Sequence, residues 1–203
     1  MDKEIDIAVS VVLKTLSEKY PQLSFVHQKK MMLTNIIVML SQQYPGYSGY
    51  FGKPLETSFI TPDGGFIFAT NKQGERRIVL VSEVKHQGTN DKRKKEGLPK
   101  QAKGNAIERL GKNLIGIKAL FKNEGVLPFV CFGNGDDFKE GSPIRDRVLT
   151  MNDFFSLNKI IVKKDFLPFE PASMLFRYDV WTIDEMARIM LDVAEQAINY
   201  KFV

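Results

Sequence analysis

Ile5, Ala8, Val12 and Leu16 recur at helical intervals, with Lys14, Glu18 and Lys19 largely on the other faces. That period predicts an amphipathic helix over 5–20, stopped by Pro21. Met32, Ile36, Ile37, Met39 and Leu40 predict a second, more apolar helix across 28–43. Residues 44–53 are broken by Pro45, Gly46, Gly49 and Gly52 and read as turns. The pattern then shortens. Phe66–Ala69 and Arg77–Val84 are strand-like runs joined by Asn71-Lys72-Gln73-Gly74, which predicts a β-hairpin. Ile78–Val81 is apolar on both faces, as in a central strand. Ile107, Leu110, Leu114, Ile117 and Leu120 form the buried stripe of a helix over 105–123. A buried strand follows at 128–133, residues 149–163 carry mixed signals, and a last amphipathic helix runs from an N-cap at Thr182 to Asn199. No repeat or linker interrupts this order, so the chain reads as one α/β domain over 1–203, a central mixed β-sheet flanked by helices.

Composition narrows the picture. With 203 residues, 43% of them hydrophobic, the chain can bury a sizeable core. No apolar run reaches the roughly 18–20 residues of a membrane span. The first residues, Met1-Asp2-Lys3-Glu4, lack the basic region of a secretory signal, so a cytoplasmic location is the default expectation. The single Cys131 can form neither an internal disulfide nor a thiolate metal site, and its apolar neighbours make it a core residue. Charge is unevenly placed. Between Lys85 and Lys118 lie ten basic and three acidic residues, while the rest of the chain holds 19 basic and 21 acidic ones. The whole positive excess of +5 therefore sits in one segment, including a basic loop at about 87–103. Such a footprint suits a polyanion, nucleic acid first, although charge alone leaves a merely solvated basic loop open.

The candidate chemistry lies just ahead of that segment. Pro62-Asp63-Gly64-Gly65 precedes the first hairpin strand, nineteen residues separate Asp63 from Glu83, and Lys85 follows two places later. Glu83 and Lys85 share one face of a strand, and hairpin pairing brings Asp63 beside them. Two carboxylates and an ammonium at a sheet end suit phosphodiester hydrolysis. Mg²⁺ takes a few carboxylate oxygens plus waters and substrate phosphate, and the Val84 carbonyl offers a further oxygen. Lys85 can orient or deprotonate water and offset charge on the phosphorane. As a bare spacing this motif is weak, and an exposed salt bridge at a strand end would look the same. The hairpin and the adjoining basic segment strengthen it.

At these residues the chain resembles the EcoRI-like type II restriction endonucleases of the PD-(D/E)xK superfamily. The resemblance rests on Tyr20-Pro21-Gln22-Leu23-Ser24-Phe25, Pro62–Gly65, Val79–Gly88 and Gly104-Asn105-Ala106-Ile107-Glu108-Arg109, with weaker likeness at Leu127–Val130 and in the last helix. It implies a restriction-endonuclease-like fold and a homodimer that cuts double-stranded DNA at a palindrome with central AATT, leaving 5′-phosphates and 5′-AATT overhangs. It places Asp63, Glu83 and Lys85 at the catalytic positions, with Asp63, Glu83 and Val84 holding Mg²⁺. It assigns DNA contacts to Gln87, Lys103, Gly104, Asn105, Ala106, Arg109 and Lys112. Asn105 suits a bidentate contact to adenine, and Arg109 lies one helical turn further on. The chain is shorter than members of that family, which implies a reduced DNA-embracing arm or outer loop. Gln101-Ala102-Lys103 departs from the family's pattern, so GAATTC, CAATTG and bare AATT all remain open. Lys92–Lys95 reads as a mobile arm that folds around DNA, His86 as a structural or DNA-backbone residue, and Arg145 and Arg147 as backbone clamps on charge alone. A structure-specific repair or recombination nuclease and a non-catalytic DNA-binding protein of the same fold are the competing readings.

Overall fold

The computed structural model describes residues 2–86, 88–99, 114, 116–118, 121, 124–142, 145–146, 155–162 and 172–202. Helix α1 (Asp2–Lys19) forms where the helical period predicts it and ends as Leu23 donates to the Tyr20 carbonyl in the turn at Pro21. The expected second helix is shorter than its apolar pattern. Strand β1 (Ser24–Gln28) ends at the helix's expected first residue, the short β2 (Met31–Met32) replaces its first turn, and α2 spans only Leu33–Gln43. The reason is tertiary: Gln28 is the last β1 residue paired to β4 (Gly65–Thr70) and Met31–Met32 pair with Phe59–Ile60, which outweighs a weak local preference. A 3₁₀ turn at Pro45–Tyr50 and strand β3 (Phe59–Ile60), paired with β2, follow.

The hairpin is present, with β4 antiparallel to β5 (Arg76–His86). Strand β6 (Phe129–Asn134) then lies parallel to β5, β8 (Ala172–Arg177) parallel to β6, and β7 (Phe155–Leu157) parallel to β8. The order is β1-β4-β5-β6-β8-β7, a mixed six-stranded sheet. Between β5 and β6 the expected basic loop contains a helix, α3 (Gly88–Lys95). Lys94 is held 2.6 Å from Asp136, and Arg93 donates to the Pro99 carbonyl, so this part of the predicted mobile arm is anchored on the turn after β6. Within the predicted helix over 105–123, Leu114 and residues 116–118 are helical; 105–113 lie outside the described residues.

Each face of the sheet carries its own apolar layer. On one face, Ile5, Val9, Val12 and Leu16 of α1 and Met190, Val193 and Ala197 of the last helix, α4 (Ile183–Phe202), pack on Ile67, Leu80 and Phe132. On the other, Leu114, Ile117 and Phe121 pack on Phe66, Val81 and Phe129. Cys131 is a core residue, as its setting predicts; Trp181 is buried too, and its indole N–H donates to the Gly133 carbonyl. Thr182 caps α4 through a capping box with Glu185. No helix among the described residues is long and apolar enough to cross a membrane.

One irregularity positions the site. Ile67 pairs with Leu80 but Phe68 pairs with Ile78, so Val79 is an extra residue in β5. Val79 and Leu80 both join the α1 layer, and the alternation restarts beyond them. Val81, Glu83 and Lys85 are thereby turned to the opposite face, beside Cys131 of β6.

Candidate active site

Asp63 stands in the turn that leads into β4. Its N–H donates to Glu83 Oε2 at 2.9 Å, and its own Oδ2 accepts from the Val84 N–H at 3.2 Å. Lys85 Nζ reaches Asp63 Oδ2 at 3.4 Å and pairs closely with Glu83 Oε1. The three side chains that the sequence spacing picked out therefore meet at one point, near the carboxyl end of β5. Burial is graded: the Glu83 side chain is 4% exposed, Lys85 18% and Asp63 35%. The site thus opens to solvent over Asp63 and is closed beneath Glu83.

Two glycines shape the turn. The Gly64 N–H donates to the Ser82 carbonyl at 3.0 Å, and a Cβ at Gly64 would stand 2.0 Å from Ser82 Oγ. Gly65 has φ +72°, and its N–H closes the turn onto the Pro62 carbonyl at 2.9 Å. Pro-Asp-Gly-Gly is thus a backbone requirement as well as a carrier of Asp63.

Burial raises the Glu83 pKa above the ordinary carboxylate value, against the partial offset of the Lys85 ammonium. For Lys85, burial acts to lower the pKa, but the negative charge and hydrogen bond of Glu83, with Asp63 behind them, raise it overall. Lys85 is therefore held as an ammonium. The Cys131 thiol beneath them is pushed well up by burial and by Glu83.

The donor set fits a hard divalent cation. Two carboxylates converge, and the Lys85 ammonium already bridges them as a stand-in cation. The Val84 N–H points at Asp63, and the carbonyl of a strand residue faces the same edge as its N–H, so Val84 offers an oxygen on that side.

A sequence profile of the family described as "Restriction endonuclease EcoRI" matches residues 1–145, more than half of the chain. The chain belongs to the EcoRI restriction endonuclease family. It is similar to the type II restriction enzyme EcoRI of Escherichia coli, with 36% identity over 148 residues covering 67% of this chain. It is also similar to the type II restriction enzyme RsrI of Cereibacter sphaeroides, with 28% identity over 235 residues covering 98% of this chain. The matches span 53% of the first relative's length and 83% of the second's.

The other expected members of this family site are distributed unevenly. Gln87, Lys103, Gly104, Asn105, Ala106, Arg109, Lys112 and Arg147 lie outside the described residues. His86 is exposed on the face away from Glu83, in a cavity of about 440 Å³ that it shares with Lys92, Lys95 and Asn134. Arg145 is half-buried in a helical turn. Sequence reasoning passed over His27, whose ring reaches the Gly64 carbonyl at 2.9 Å. Its one sequence signal was its place just after the Tyr20–Phe25 block.

Proposed function

We propose that this chain is a Mg²⁺-dependent type II restriction endonuclease that acts as a homodimer on double-stranded DNA. The observation that carries the reading is the convergence of Asp63, Glu83 and Lys85 at the end of β5, in a chain of this family. Asp63 and Glu83, with the Val84 carbonyl, would hold the cation. Bound there, Mg²⁺ supplies charge neutralisation at the scissile phosphate and acidification of the attacking water. Lys85, held as an ammonium by its two carboxylate neighbours, orients that water and offsets charge on the phosphorane rather than acting as the base. The buried floor formed by Glu83 and Cys131 keeps bulk water from that side of the site. We assign base reading to Gly104, Asn105, Ala106 and Arg109, and backbone contacts to Gln87, Lys103 and Lys112. The target is a palindrome with central AATT, cut to leave 5′-phosphates and 5′-AATT overhangs. Its outer base pair is one of GAATTC, CAATTG or bare AATT.

The test is digestion of phage DNA with Mg²⁺, followed by sequencing of the fragment ends. Discrete fragments sharing an AATT end are expected, and the same reads give the outer base pair. Smears or cuts confined to junctions would point instead to a structure-specific nuclease. Retarded migration in Ca²⁺ without cleavage in Mg²⁺ would point to a non-catalytic binding protein. Asp63→Ala and Glu83→Ala are each expected to abolish cleavage while sparing DNA binding in Ca²⁺.

A further inference from the structure

The carboxylate of Asp63 is placed by a turn whose two peptide units contain glycine, the residue that resists rotation least. Something must hold those units. The amide side is held by the sheet and by the turn's own closure: Gly64 N–H donates to Ser82 O of β5, and Gly65 N–H to Pro62 O. The carbonyl side of Gly64 points the other way, and there His27 meets it at 2.9 Å through Nε2. His27 lies on the edge strand β1, opposite Ile67 of β4, and its half-buried ring reaches back along β4 to the start of the turn. A carbonyl only accepts, so Nε2 carries the hydrogen. The neighbouring residue is shaped around this contact. A Cβ at Gly65 would stand 2.8 Å from His27 Nε2, 2.8 Å from the Gln28 carbonyl and 3.1 Å from Lys29 Cα. Gly65 is therefore excluded from bearing a side chain by the ring as well as by its φ.

We propose that His27 is a positioning residue for the cation site. By donating from Nε2–H to the Gly64 carbonyl, it locks the Asp63-Gly64-Gly65 turn and keeps the Asp63 carboxylate where it converges with Glu83. The inference rests on the reading of Asp63 and Glu83 as cation ligands. His27 touches neither cation nor DNA in this role. It acts as outer groups do in other metal sites, where loss of a partner that orients a ligand costs about 10–100-fold in metal affinity or activity. The neutral Nε2–H tautomer and the imidazolium both donate, so the contact is not a pH switch.

Two variants separate positioning from packing. His27→Leu keeps bulk and removes the donor; His27→Gln keeps an amide donor at similar reach. Mn²⁺ binding to the DNA-free protein, measured by electron paramagnetic resonance, is expected to weaken about tenfold or more in His27→Leu and to recover in His27→Gln. In the wild type, ¹⁵N chemical shifts of the imidazole at neutral pH are expected to show the Nε2–H tautomer. Thermal unfolding confirms that each variant is folded. A folded His27→Leu that binds Mn²⁺ like the wild type overturns the proposal, as does a His27→Gln no better than His27→Leu. Should the Leu variant not fold, an Nδ1–H tautomer in the wild type overturns it independently. If the wild type itself binds no Mn²⁺, the cation-site reading fails and takes this inference with it; an unaffected variant beside a metal-binding wild type sinks the His27 inference alone.

Discussion

The space under the Asp63 turn yields a prediction with a definite sign. Ser82 is fully buried on the α1 face of β5, and its hydroxyl meets no hydrogen-bond partner among the described residues. Burying a hydroxyl unpaired costs about 1–3 kcal/mol. Ser82→Ala removes that cost and leaves a void of oxygen size, a penalty of roughly 0.4 kcal/mol at the usual rate per cavity volume. The variant is therefore expected to be more stable than the wild type by about 1–2 kcal/mol, which for a chain of this size raises Tm by roughly 2–8 °C. Gly64→Ala should do the opposite. Its Cβ would arrive 2.0 Å from Ser82 Oγ and 2.9 Å from Ile5 Cδ1. The first obstacle sits on the rigid central strand and the second is the free end of a flexible side chain. Overpacking of this kind costs about 1–3 kcal/mol.

The two changes must then couple, because the atom removed by one is the atom struck by the other. In the Ser82→Ala background the cost of Gly64→Ala should fall by about 1–2 kcal/mol. Thermal and urea unfolding of the four proteins in the cycle measures this directly. Cleavage adds a second readout. The Gly64 amide bonds to β5 immediately after Asp63, so a displaced turn pulls the Asp63 carboxylate off the Val84 N–H and Lys85. Gly64→Ala should lose cleavage, Ser82→Ala should keep it, and the double variant should regain much of what the single one lost. A lowered Tm in Ser82→Ala would show that the hydroxyl has a partner. Equal costs of Gly64→Ala in both backgrounds would show that Ser82 is not what the new methyl meets.

Cation binding should be pH-sensitive at Glu83. Its pKa is raised by burial, so protonation begins above the ordinary value of 4.5, and Mn²⁺ affinity measured by calorimetry should fall with pH from there, since only the carboxylate binds. The same protonation relieves the cost of a buried charge, so Glu83's own contribution to folding moves the opposite way. At the start of α4, Thr182→Ala removes the cap that accepts the Glu185 N–H and should cost about 1 kcal/mol by urea unfolding. Glu185 is held down to about 2, first by Arg177 and then by Thr182; that stabilisation is complete above about 4.5 and is lost as pH falls toward 2, so Glu185→Gln should flatten the acid limb of the stability curve. Asp137→Ala strips the buried Asn90 amide of a 2.7 Å partner and should cost about 1–3 kcal/mol, with weaker DNA retention in Ca²⁺ if α3 loses its anchor.

What could be read from the sequence follows from the range of the interactions involved. Periodicity located α1, α4 and the β4–β5 hairpin because each buries a stripe that repeats within its own length. It misread 28–32, where Gln28 ends β1 and Met31–Met32 pair with β3, it gave no element for 24–27, where β4 offers β1 an edge, and it missed β8, which is defined by its parallel neighbours. Inside 87–103 it saw charge and glycine, whereas α3 is held by Asp136 and Asp137, more than forty residues away. His27 was invisible for the same reason: its partner is a carbonyl, which leaves no trace in the residue type at position 64.

The shared face of Glu83 and Lys85 shows how a placement the structure reproduces can rest on an incomplete reason. Glu83 and Lys85 were placed on one face because two residues on a strand always share one. Which face they share is decided earlier, at Val79. Counted by strict alternation from the buried Ile78, even-numbered positions would point with it, and Glu83 and Lys85 would turn toward α1 and the Ile5 layer. The extra residue reverses that parity, so both instead turn toward Cys131 and the face carrying Leu114, Ile117 and Phe121. A bulge at Val79 therefore decides which side of the sheet the proposed cation ligands face. Deleting Val79 would leave the sequence motif intact, and yet it should abolish cleavage by sending the motif to the wrong face.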